Sequence, residues 1–224
     1  MLGLSGTLAG IAVIIALCID ALGDPIVGSW SDSTVSRYGR RHPFMYLAAI
    51  PFALSFYFLF VPPQGLGTLG LFIWLCGFAV LVRTTMSFYT VPYMALGAEL
   101  TEDYDERTLL SSLRTIFQLM GMFAVLIGAN HLFFGATEHY ANGQLNPAAY
   151  PVFALAAVPL LIGGILVSAL ATHHKIPPLR VPPNEKFSVT RVDSEVLLAF
   201  KIPSFTAVVG SIVTYGISQG IIQA

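Results

Sequence analysis

Six apolar stretches of membrane-spanning length, at 4–31, 44–62, 67–98, 108–135, 148–172 and 204–224, constrain this chain more than any other feature. A helix needs about 20 predominantly apolar residues to cross the hydrocarbon layer. In lipid, only helices and closed barrels satisfy every backbone N–H and C=O. The 224 residues are 55% hydrophobic and only 10% charged, against roughly 25% charged in soluble domains. The sequence therefore predicts an all-α fold, a polytopic membrane helix bundle. A net charge of −1 gives no electrostatic basis for a nucleic-acid partner. Cys18 and Cys76 both sit in apolar segments and read as small apolar residues rather than a disulfide or a metal site. The N-terminus lacks the positive region of a signal peptide.

Basic residues set the orientation. Arg37, Arg40 and Arg41 lie in 31–43, Arg107 in 99–107, and Lys175, Arg180, Lys186, Arg191 and Lys201 in 173–203, while 62–67 and 136–147 hold none. The positive-inside rule places 31–43, 99–107 and 173–203 in the cytoplasm. Met1 then falls outside, and the last span stops at Ala224. The chain is accordingly expected to be a fragment or a shortened gene product lacking a first helix and much of a C-terminal half. The 173–203 stretch, with Pro177, Pro178, Pro182 and Pro183, reads as an irregular linker with a short helix near 190–200.

Within this frame, Asp20 and Asp24 fall on one face of a helix in the first span. Carboxylates at bilayer depth are costly and mark ion or solute pathways. The alternative is a pair that only hydrates a polar vestibule. Hard cations favour carboxylate oxygen, and two neighbouring carboxylates repel, so the pair can take Na⁺ or H⁺. Pro25 removes a backbone donor and frees a carbonyl one turn earlier. Arg83 and Arg114 lie inside spans and need acceptors. Arg83 reads as a partner of a first-span Asp or as a solute contact, Arg114 as a fork for a polyhydroxy or anionic solute. The loop from Gly28 through Asp32 to Arg37, Gly39, Arg40 and Arg41 reads as a cytoplasmic latch or as simple positive-inside anchoring. The acidic run Glu99, Glu102, Asp103, Asp105 and Glu106 is a solvated loop that can partly pair with those arginines. His131, His139, His173 and His174 show no metal spacing. No nucleophile–base pair suggests an enzyme.

The run Asp20-Ala-Leu-Gly-Asp24-Pro25-Ile-Val-Gly28, then Asp32, then Ser36-Arg37-Tyr-Gly39-Arg40, resembles helix II and the following loop of the glycoside–pentoside–hexuronide:cation symporters of the major facilitator superfamily. Tyr89-Thr90-Val91-Pro92-Tyr93, Leu96-Gly97-Ala98-Glu99-Leu100, Asp105-Glu106-Arg107 and Arg114 are similar to that family's helix IV, loop and helix V. The likeness runs from about residue 10 to 120. It implies a partial major-facilitator fold: five helices of an N-terminal bundle over 1–172, a cytoplasmic central loop over 173–203, and the first helix of a C-terminal bundle over 204–224. It also implies secondary active symport of a sugar, glycoside or related solute with Na⁺ or H⁺, by a monomer in the cell membrane, without a cofactor. Asp20, Asp24 and Ser87 match the coupling-cation site, and Arg114 matches an arginine near the sugar. By the same likeness, Thr90 and Met94 stand where a sugar-binding aspartate and a stacking tryptophan occur in that family, and Gly23 where an asparagine tied to cation choice occurs. A lysolipid or other amphiphile as solute, or a non-transporting membrane sensor, remain the rival readings.

Overall fold

The computed structural model describes residues 4–34, 36–101, 103–173, 201–204, 206–207, 209–211 and 214. The first compact unit, 1–184, holds five long helices: α1 (Gly6–Ser33), α2 (His42–Phe60), α3 (Thr68–Glu99), α4 (Tyr104–Leu132) and α5 (Ala149–His173). All five are long and apolar enough to cross a membrane, and no strand occurs among the described residues. In the second unit, 185–224, the described residues from Pro203 to Thr214 are helical. Most of the predicted 204–224 span, and all of the short helix predicted near 190–200, lie outside the described residues.

Local chemistry sets the helix ends. Ser5 caps α1 by accepting from the Leu8 amide at 3.3 Å, satisfying one of the orphan donors of a first turn. At the other end the Ser33 and Thr34 hydroxyls donate back to the Trp30 carbonyl. The chain then reverses through Gly39, whose φ of 82° is a left-handed conformation that costs glycine nothing. Pro43 in the first turn of α2 loses no helical hydrogen bond. The 99–107 loop is shorter than the sequence suggests. Asp103 accepts from the Asp105 and Glu106 amides at 2.9 Å, so α4 begins at Tyr104 rather than 108. Its first turn is polar, which hydropathy misses, yet those acids favour a helix N-terminus. Arg107 donates to the Ala98 and Thr101 carbonyls and so closes the end of α3.

The helix α3 is central: α1 and α2 both pack on it, and α2 packs on α5. The contacts use small residues, with Ala12 and Ala16 of α1, Ala48, Ala49 and Ala53 of α2, and Ala154 and Ala169 of α5 buried. Small side chains let helix backbones approach where lipid removes the hydrophobic drive between helices. Met45, Leu96 and Ala169 form a core flanked by Tyr46, Tyr89 and Tyr93. The helix α4 meets α3 only marginally and buries no residue. Asp20 faces Ser87 and Gly28 faces Val91, so α1 and α3 advance in the same direction and present two polar stripes to each other.

Candidate cation site and charged latch

The α1 stripe is Asp20, Asp24 and Gly28, one residue per turn. The α3 stripe is Arg83, Ser87, Thr90 and Met94, which helical periodicity puts on one face. The two meet at Ser87, which is buried. Its Oγ donates to Asp20 Oδ1 at 2.8 Å and also lies 3.2 Å from the Arg83 carbonyl. Asp20 Oδ2 lies 3.6 Å from Arg83 Nη1. Both oxygens of Asp20 therefore have partners supplied by α3. Asp24, one turn on, is exposed and has no hydrogen-bond or ionic partner among the described residues. Because α1 continues through Pro25, the Ala21 carbonyl receives no bond from residue 25. A carboxylate pair, a hydroxyl with lone pairs and a carbonyl without its usual helical donor are the hard oxygen donors that alkali cations prefer.

The residues suggested for solute contact are not gathered into one site. Thr90 is half-buried on the same face as Ser87, and Met94 is exposed one turn further. Arg114 is exposed on α4 and makes no hydrogen bond or ion pair with the described residues. Arg83, the other intramembrane arginine, takes the pairing role with Asp20.

The second cluster ties together the C-terminal ends of α1 and α3 and the N-terminal end of α2. Arg40 and Arg41 each donate to Glu99 Oε1 at 2.7 Å, and Arg41 also pairs with Asp32 Oδ1 at 2.8 Å. The Arg41 side chain is 9% exposed, Glu99 30% and Asp32 55%. The shared, partly dehydrated Glu99 is therefore the stronger anchor. Arg37 stands apart, stacked over the Tyr38 ring at 4.6 Å. Gly28 lies higher on α1, against Val91. The Arg41 Nε is buried with no partner among the described residues.

Residue-type reasoning missed a third cluster. His42 is fully buried and bonds Thr172 Oγ1 through Nε2 at 3.1 Å, while Tyr46 Oη lies 3.3 Å from His173 Nδ1. The two imidazoles meet edge-on at 5.5 Å. These contacts join α2 to α5 across about 130 residues of sequence. The sole local signal was a histidine between an arginine turn and Pro43. No group of three metal-ligating side chains occurs among the described residues.

The family described as MFS/sugar transport protein matches residues 1–222. An uncharacterized symporter of Synechocystis sp. is 38% identical over 130 residues, covering 56% of this chain and 24% of the relative. A putative glycoside/cation symporter of Escherichia coli is 32% identical over 123 residues, covering 55% and 26%. A sodium-dependent lysophosphatidylcholine symporter of Gallus gallus is 30% identical over 116 residues, covering 50% and 21%. The matched stretch thus spans about a quarter of the length of these curated relatives.

Proposed function

Since this chain belongs to the MFS/sugar transport protein family, we propose that it carries the cation-coupling part of a secondary active symporter. That family is one of multi-pass membrane transporters and not of enzymes. One observation supports the reading above others: Ser87 on α3 donates to Asp20 on α1 at 2.8 Å, with Asp24 unpartnered one turn away. In the proposed mechanism, Na⁺ or H⁺ binds among Asp20, Asp24 and Ser87 and relieves the repulsion between the carboxylates. The neutralised α1–α3 face then tolerates a neighbouring solute and the rocking of one bundle against another. Cation and solute affinities are coupled reciprocally, as linkage requires. Thr90, Met94 and Arg114 are the proposed solute contacts. Asp32, Arg40, Arg41 and Glu99 are the proposed cytoplasmic latch, with Gly28, Arg37 and Gly39 shaping its approach. The remaining elements of the proposal are a cell-membrane location, a monomer, 1–172 as N-terminal bundle helices, 173–203 as a cytoplasmic loop and 204–224 as the start of a further bundle.

A sugar or glycoside is the leading solute class, by likeness to the Escherichia coli relative. A lysolipid is the second, by likeness to the Gallus gallus relative and by the apolar, exposed Met94 on the solute-side stripe. The test is a thermal-shift panel on the chain in nanodiscs. Na⁺, Li⁺ and pH are varied, alone and with sugars, glycosides or lysolipids. A response to Na⁺ or pH that Asp24→Asn abolishes is the expected result. The same response in wild type and Asp24→Asn would remove the coupling role.

A further inference from the structure

The pairing of Arg83 with Asp20 has a consequence for how the site loads. Asp20, Asp24 and Arg83 together carry a formal charge of −1. Arg83 and Ser87 occupy both oxygens of Asp20, and Asp24 has no partner among the described residues. The Arg83–Asp20 separation of 3.6 Å is longer than a charge-assisted hydrogen bond, and the Arg83 side chain is 43% exposed against 19% for Asp20. The guanidinium is therefore held by charge rather than by a tight fork, and it has room to leave. A cation that enters beside Asp24 and draws in Asp20 must share Asp20 Oδ2 with a fixed positive charge or displace it.

Resting on the coupling-site reading above, we propose that Arg83 is a tethered counter-cation. It covers Asp20 while the site is unloaded, swings off when one monovalent cation binds, and by its competition sets the cation affinity. Asp24 is the carboxylate that captures the cation first, and Asp20 joins it as Arg83 departs. The Ser87 hydroxyl stays in place throughout: its proton points at Asp20 or the Arg83 carbonyl, and its lone pairs remain available to the cation. No bond is made or broken in this exchange. One positive charge replaces another at Asp20 Oδ2, so the two carboxylates and the bound cation keep the net charge of −1, and it is the displaced Arg83 charge that is added beside the site.

The experiment measures equilibrium binding of radioactive Na⁺ to the chain in nanodiscs, for wild type, Arg83→Gln, Arg83→Lys and Asp24→Asn. Removing a like charge a few ångströms from a partly hydrated site corresponds to a change on the order of tenfold in affinity. Arg83→Gln is expected to bind Na⁺ about tenfold tighter than wild type, and Arg83→Lys, which keeps the charge, to stay near wild type. A merely structural arginine gives the opposite sign, since loosening the α1–α3 contact weakens binding. Equal or weaker binding by Arg83→Gln overturns the inference. If Asp24→Asn still abolishes binding in that case, the coupling-site reading stands and only the role of Arg83 falls. Absence of Na⁺ binding in both wild type and Arg83→Gln also overturns it, even where a pH response lost in Asp24→Asn upholds the coupling site.

Discussion

Replacing Glu99 by Ala tests the energetics of the Arg40–Arg41–Glu99 cluster most directly. Two guanidinium groups donate to one Glu99 oxygen, each at 2.7 Å. A hydrogen bond to a charged group contributes roughly 1.5–3 kcal/mol net. Breaking a fully buried pair costs roughly 3–5 kcal/mol, because a charge is left unpaired. Here the loss is smaller: Glu99 is 30% exposed, Arg40 can turn to water, and Arg41 keeps Asp32 at 2.8 Å. A cost of about 2–3 kcal/mol follows for Glu99→Ala. At about 2–4 °C per kcal/mol for a chain of this size, the unfolding midpoint in detergent or nanodiscs falls by about 4–12 °C. Asp32→Ala supplies the internal comparison. Asp32 is 55% exposed and makes one ionic contact, so its removal costs about 0–1 kcal/mol, as for an exposed pair. A midpoint for Glu99→Ala within a degree of wild type refutes the reasoning, and so does a larger loss for Asp32→Ala than for Glu99→Ala.

Two further substitutions bear on the candidate cation site and on the α4–α5 loop. Ser87→Ala removes the 2.8 Å hydrogen bond to Asp20 and an oxygen ligand; at about 0.5–1.5 kcal/mol, Na⁺ affinity in the binding assay falls about 2–10-fold, and an unchanged affinity excludes Ser87 from the site. Gly143 packs against the carbonyls of Phe134 and Gly135, where an added Cβ would collide; Gly143→Ala is expected to destabilise the chain by about 1–3 kcal/mol, and an unaltered unfolding midpoint contradicts that close approach.

The spans were legible because membrane insertion is decided locally: an uninterrupted apolar run is enough, whatever it packs against. Four of the five described helix starts lie within two residues of the apolar runs. The exception, α4, begins at Tyr104 because Asp103 caps a polar turn, and hydropathy measures immersion in lipid rather than helix formation. The carboxylate pair was legible from spacing alone, since one turn of helix fixes its face. The Gly39 turn was legible too, as a glycine between arginines where the chain must reverse.

The sequence alone determined that this chain is a bundle of membrane helices, where the five described long helices lie to within about a turn, which loops carry the positive charge, and that Asp20 and Asp24 share a face. Only the tertiary structure decided partners. Arg83 takes Asp20, Arg40 and Arg41 converge on Glu99 58 or more residues away, and His42 finds Thr172 on α5. Arg114 is left on an exposed helix face. The reason is physical: hydropathy and helical periodicity act along a few turns of chain. Which of several acids a buried arginine meets depends on which helices lie side by side and at what height, and the packing of small residues between α1, α2, α3 and α5 settles that.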